Sequence, residues 1–255
     1  MATSENPAGM TGAYEWQYTI ASYDVGPTRR LRLSNQLKLQ QEVGEKHLEQ
    51  SQLPYTYLYD TLGVIFVLVR TASVIYRAPV FEESIRLSTW CRGLKGAQYL
   101  RCYRFCDEAG NVLIDSATTF ALIDTKQHRL VRPSTIKEFE GFVFLPEKEN
   151  TCPPPGKIIL PEGMEKADDR RLYDSDMDYN GHLNNTIYAD FLTDYMPGGI
   201  AGKVPTGFQI HFAGEAGLGE SLEIETALKG DTAYYSGRHP RGQCFTASCT
   251  FRPEE

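Results

Sequence analysis

The stretch Asp174 to Pro197, DSDMDYNGHLNNTIYADFLTDYMP, carries an acidic turn that runs straight into a helical pattern. Asp178, Asn180 and His182 alternate with other residues, so in an extended segment they point to one side. A carboxylate, an amide and an imidazole on one side suit a reacting site better than a core face. Just downstream, Asn184 offers an N-cap oxygen and Pro197 a stop. Leu183, Ile187, Tyr188 and Phe191 fall at helical spacing, which predicts a helix over 184–196. The free N–H groups of its first turn would face whatever the turn side chains hold.

Three readings compete for the turn. Asp176-x-Asp178-x-Asn180-Gly181 matches the first six positions of an EF-hand calcium loop, but the twelfth position, which needs a bidentate Glu, is Ile187, and the preceding Cys152-Pro-Pro-Pro-Gly156 region is no entering helix. A plain capping turn would explain the Asp and Asn, though capping rarely calls for a His in the same row. A hydrolytic site uses all three side chains.

A chain of 255 residues is one large domain or two smaller ones, and 41% hydrophobic content is enough for a proper core. Fifteen Tyr and twelve Phe lean toward sheet. The longest apolar run, Gly63 to Val69, is strand-sized, so no membrane span is expected. Met1 to Gly12 lacks a basic-then-apolar signal pattern. The six cysteines show neither zinc spacing nor C-x-x-C pairs, which suits reduced packing residues of a cytoplasmic protein without metal or cofactor. A net charge of −7 argues against nucleic acid as a partner.

Along the chain, residues 1–13 read as a flexible leader and Tyr14 to Tyr23 as a strand. Ser34 to Gln52 reads as an amphipathic helix, with His47 on its solvated side. Strands follow at 63–76, 83–90, 98–107 and 112–124. Residues 133–172 look like a proline-rich connection between a unit at 14–132 and a second at 173–255. The second unit repeats the order, with strands at 206–214, 220–229, 231–238 and 243–252. Letters repeat too: Glu83-Ser-Ile-Arg-Leu-Ser-Thr89 aligns with Glu220-Ser-Leu-Glu-Ile-Glu-Thr226, and Thr119-Phe120 answers Thr250-Phe251. The expected fold class is α+β, an internal duplication in which each copy lays a helix on an antiparallel sheet.

The run Asp178-Tyr-Asn180-Gly-His182-Leu-Asn184-Asn185-x-x-Tyr188 at the start of the second helix, on such a duplicated scaffold, resembles the acyl-acyl carrier protein (ACP) thioesterases. The resemblance implies two tandem hot-dog units, an acyl-chain pocket in the first unit and catalysis in the second. It also implies thioester hydrolysis of fatty acyl-ACP that terminates fatty acid synthesis, with acyl carrier protein as partner; a homodimer is left open. The family's Glu-Cys-Gly segment corresponds to Glu215-Ala216-Gly217, so Glu215 matches and Ala216 stands where the family has Cys. The implied site is Asp178, Asn180, His182 and Glu215, acting on water or through a carboxylate. An acyl-CoA thioesterase, a hot-dog dehydratase and an inactive acyl-binding protein remain alternatives. Arg29, Arg30 and Arg32, or Lys126, Arg129, Arg132, Arg170 and Arg171, would meet an acidic carrier protein. His211 reads as a packing or surface residue, and His128 and His239 carry no argument.

Overall fold

The computed structural model describes residues 12–254; up to residue 11 the expected leader lies outside the described residues. Strand β1 (Ala13–Thr19) leads through a 3-10 turn into α1 (Leu33–Gln50), and then into β2 (Val64–Ile75), β3 (Ser84–Lys95), β4 (Gln98–Cys106) and β5 (Val112–Asp124). After a long connection come β6 (Glu165–Arg171), a second 3-10 turn, α2 (Ile187–Asp194), β7 (Lys203–Phe212), β8 (Ser221–Lys229), β9 (Thr232–His239) and β10 (Gly242–Pro253). All ten strands form one sheet in the order β1-β3-β4-β5-β2-β7-β10-β9-β8-β6, and the neighbours pair antiparallel. This is a helix-on-sheet unit written twice, with the two copies joined edge to edge at β2 and β7. Among the described residues, the join leaves only β1 and β6 as edges.

The duplication holds at the level of single hydrogen bonds. β1 and β6 begin 152 positions apart, at Ala13 and Glu165, and the turns after them match bond for bond. Asp24 accepts from the Ala21 N–H at 2.9 Å, and Asp176 from the Tyr173 N–H at 2.9 Å. Gly26 donates to the Arg30 carbonyl at 3.0 Å, and Asp178 to the His182 carbonyl at 2.8 Å. The left-handed position in the turn is Arg29 in the first copy (φ 58°) and Gly181 in the second (φ 80°). Leu31 N–H binds Pro79 at 2.8 Å and Leu183 N–H binds Ala216 at 2.7 Å. Glu83 caps the Val80 N–H as Glu220 caps that of Gly217.

The copies differ in three places where the sequence reading falls short. The second helix covers 187–194 rather than 184–196. Asn184 spends its side chain on a turn before the helix, accepting from both the N–H and the hydroxyl of Thr186 at 2.9 Å. Strand β6 lies inside the expected connection; its sequence EKADDRR shows no apolar alternation, because it is an exposed edge strand armed with charges. His47 is 1% exposed rather than solvated. The inward face of α1 runs Leu33, Gln36, Leu37, Gln40, Val43, Gly44 and His47, and its polar members meet polar partners on the sheet. Gln36 donates to Ser73 and Gln40 to Ser116, each at 2.8 Å, and those two serines, opposed across β2 and β5, lie 2.7 Å apart.

Both helices and both halves of the sheet share one continuous core. The connection also packs against the first half: Phe139 and Phe142 cover one end, while Thr151 anchors to Asp115, which is also held by Arg104 at 2.7 Å. At the join, a Cβ on Gly207 would stand 2.8 Å from the Ser73 carbonyl oxygen, part of the backbone it pairs with. We expect Gly207→Ala to cost about 1–3 kcal/mol by overpacking, read as a lower midpoint in denaturant. An unchanged midpoint would contradict the close approach of the two copies.

Candidate active site

The turn begins at a buried carboxylate. Asp176, 6% exposed, takes Arg170 Nη2 on both oxygens, at 2.7 and 2.9 Å, as well as the Tyr173 N–H. The residue at the first EF-hand-like position is thus committed to an ion pair that shapes the chain. From there residues 177–183 form a tight hairpin, not an extended segment. Met177 pairs with Leu183, Gly181 N–H closes on the Asp178 carbonyl at 3.0 Å, and Asp178 stands opposite His182. Opposed residues in a hairpin share a face, so Asp178 and His182 lie together on the face away from buried Leu183. The expected grouping arises from cross-strand pairing instead of alternation along one strand.

Asp178 Oδ1 accepts the N–H groups of Asn180, at 2.9 Å, and His182, at 3.1 Å, which fixes the carboxylate in the hairpin. Asn180 sits exposed at the hairpin tip, where its side-chain oxygen accepts from the Tyr55 hydroxyl at 3.4 Å. Tyr55 itself rests between Tyr59 and Tyr179, with ring centroids 5.8 and 5.4 Å away. His182 Nε2 lies 3.4 Å from Glu215 Oε2, and both side chains are substantially exposed.

The segment carrying Glu215 is clamped from three sides. Leu183 N–H reaches the Ala216 carbonyl, and Glu220 caps Gly217 while pairing with Arg241 at 2.5 Å. His239 Nδ1 accepts from the Arg241 N–H at 2.9 Å, so its Nε2 is the donor to the Glu215 carbonyl at 3.0 Å. His239 therefore has a structural part in the site that the sequence reading missed, as does Tyr55. No local pattern marks either, since both act through contacts with distant segments. His211 is half-buried opposite Arg70 at the β2–β7 join, and burial holds its pKa below the usual histidine value.

A cavity of about 460 Å³ opens at the hairpin. Asp178, Asn180, Asn184 and Asn185 line it on the side of the second copy. Most of its wall comes from the first copy: Leu37 of α1, Phe66 of β2, Phe120 of β5, Leu58 of the turn before β2 and Phe142 of the connection. His182, itself on the hairpin, and Glu215 beside it do not line this cavity. Ala216 packs its methyl group into the core at 1% exposure. All six cysteines are buried and free. Burial pushes Cys102 and Cys249 up to about 12 and Cys152 and Cys244 up to about 11, and raises Cys91 and Cys106 as well. Each therefore stays a thiol at neutral pH, a poor nucleophile.

The duplication supplies an internal comparison. In the first copy the places of Asp178, Asn180, His182 and Glu215 are held by Gly26, Thr28, Arg30 and Ala78, on the same hydrogen-bonded framework. The framework alone therefore does not require these four polar side chains. One copy carries them and the other does not.

Comparison with known proteins agrees in extent with this architecture. The family model for the acyl-ACP thioesterase N-terminal domain matches residues 12–138, and that for the acyl-ACP thioesterase C-terminal domain matches residues 165–243. An oleoyl-acyl carrier protein thioesterase of Arabidopsis thaliana is 24% identical over 72% of this chain and 54% of its own length. A dodecanoyl-[acyl-carrier-protein] hydrolase of Cinnamomum camphora is 22% identical over 85% of this chain and 59% of its own. This chain thus spans a little over half the length of these plant relatives. Among solved structures, an acyl-ACP thioesterase from Bacteroides thetaiotaomicron superposes with a TM-score of 0.85 at 15% identity, covering 94% of this chain and 98% of the other. The 12:0-ACP thioesterase of Umbellularia californica gives 0.79 at 17% identity, over 96% and 98%. The fold is the double hot-dog, and with both family domains matched in order, the chain belongs to the acyl-ACP thioesterase family.

Proposed function

We propose that this protein hydrolyses the thioester of fatty acyl-ACP, releasing free fatty acid and the carrier protein, with no cysteine in the chemistry. The observation that carries the reading is the Asp178–His182 hairpin, with Asp178 and Asn180 at the mouth of a largely apolar cavity and the His182–Glu215 pair beside it. The cavity takes the acyl chain and the hairpin meets the thioester. With one oxygen tied to two N–H groups, Asp178 keeps the other to hold a water molecule or to attack the carbonyl carbon itself. Asn180, its oxygen taken by Tyr55, turns its N–H₂ toward the developing oxyanion. His182, steadied by Glu215, accepts the proton from water and returns it to the departing sulfur as the C–S bond breaks. A thiol with a pKa near about 8.5 leaves readily, so the activation of the nucleophile matters more than the acid step.

The carrier protein as partner follows from the same family membership. Of the basic residues expected to meet it, Arg30 pairs with Glu254 and Arg170 with Asp176, whereas Arg29, Arg32, Arg129, Arg132 and Arg171 are exposed. A cytoplasmic location belongs to this proposal too and is supported by six unpaired cysteines.

The test is fatty acid release from acyl-ACPs of graded chain length. Asp178→Asn and His182→Ala are each expected to lower kcat by on the order of 10²–10⁴; a loss of only a few-fold in both would contradict the scheme. Treatment with N-ethylmaleimide should leave the native rate intact, and rapid inactivation at neutral pH would show a thiolate that this account excludes. Charge reversal at Arg29 and Arg32 together, or at Arg129 and Arg132, is expected to raise KM for acyl-ACP more than for a short acyl thioester without the protein. Equal effects on both substrates at both sites would argue against docking there.

A further inference from the structure

The deep wall of the cavity is not hydrocarbon-like. Tyr99 and Arg101, two positions apart on β4, project from the same face of the strand and both line the cavity. Tyr99 is 2% exposed and ringed by aromatic side chains, with Phe66, Phe139 and Phe142 at centroid distances of 4.9, 6.1 and 5.9 Å. Its hydroxyl is buried and has no hydrogen-bond partner among the described residues. Arg101 is 5% exposed; its Nη1 contacts His47 Nδ1 at 3.0 Å and Thr89 Oγ1 at 3.2 Å, and no carboxylate among the described residues pairs with it. Gly44 of α1 faces this group: a Cβ there would stand 3.4 Å from the Tyr103 hydroxyl and 3.9 Å from Arg101 Cδ, ordinary contact distances.

A buried cation without a carboxylate partner and a buried hydroxyl without an acceptor among the described residues are both costly in an apolar slot. A plain alkyl tail would leave the Tyr99 hydroxyl without an acceptor and return nothing to the guanidinium. A tail with an oxygen acceptor would satisfy both, because the guanidinium can only donate and the phenol can donate. The reacting carbonyl belongs with Asp178 and Asn180 on the second copy's hairpin, so an acceptor at Tyr99 and Arg101 on β4 is a second oxygen, distinct from that of the thioester.

We infer that the cavity selects acyl chains bearing an oxygen acceptor (hydroxyl, oxo or carboxylate) away from the thioester, held by Tyr99 Oη and Arg101. The inference rests on the reading of this cavity as the acyl slot. Specificity of this kind is strong, because a site built to hydrogen-bond an oxygen penalises the analogue lacking it.

Calorimetric binding of free fatty acids of eight to fourteen carbons tests it without relying on turnover. Each unsubstituted acid is compared with its ω-hydroxy, ω-oxo and ω-carboxy counterparts, on the wild-type protein, Tyr99→Phe and Arg101→Met. At the best-fitting length an oxygenated acid should bind about ten-fold or more tightly than its parent. Which of the three wins identifies the group. Tyr99→Phe removes a single oxygen atom; it should shrink the preference and strengthen binding of the plain acid, and it carries the test if Arg101→Met does not fold. Plain acids binding as tightly as oxygenated ones at every length would overturn the inference, while turnover of plain acyl-ACP would still leave the hydrolase reading standing. Preferential binding of an oxygenated acid, with no acyl-ACP hydrolysed, would support the inference about the cavity and sink the hydrolase reading.

Discussion

Two buried carboxylates set the course of the chain at the same point of each copy. Asp24, 3% exposed, gathers the Tyr18 hydroxyl, the Ala21 N–H and the Asn35 amide, and Asp176 gathers Arg170 and the Tyr173 N–H. Each stitches the end of an edge strand to the hairpin that precedes the helix. Because these donors have been taken out of water, removing the carboxylate would strand them, a penalty larger than the net worth of the bonds. In the second copy, this turn carries Asp178 and His182 into register and leaves Asn180 at the tip. The candidate site is in this sense a decorated version of a structural turn that the first copy keeps undecorated.

The two copies have divided their labour. The first keeps an 18-residue helix and, with the connection at Phe142, surrounds the cavity; the second shortens its helix to eight residues and bears the polar hairpin. Neither could make the site alone, since the polar hairpin belongs to one copy and most of the cavity wall to the other. The antiparallel join of β2 and β7, with Gly207 allowing the backbones to meet, fixes that relation. Ala216 fits the same picture: its carbonyl ties the two loops of the site together while its methyl group lies in the core.

Much of this is legible in sequence where local chemistry decides local structure. The strands of both copies announce themselves by aromatic and β-branched alternation, and the Glu83 and Glu220 segments align because both glutamates do the same capping. The rest depends on contacts between distant segments. β6 is invisible as a strand because an edge selects charges over alternation. Gln36, Gln40 and His47 suggest solvent by their polar character alone, yet they face serines and an arginine that only the folded sheet brings near. The hairpin hides behind an apparent alternation, since three polar residues two apart are compatible with either geometry. The parts of Tyr55 and His239 follow from their partners at Asn180 and Glu215, and no property of their own neighbourhoods points to them.

The central claim is that the reacting groups sit on the Asp178–His182 hairpin, with every thiol buried and protonated. Rapid acid quenching during turnover of an acyl-ACP, followed by peptide mass analysis of the protein, tests it most directly. The account predicts that free fatty acid accumulates while all six cysteines keep their unmodified mass. An acyl group found on any cysteine, or no fatty acid released from any acyl-ACP, would contradict it.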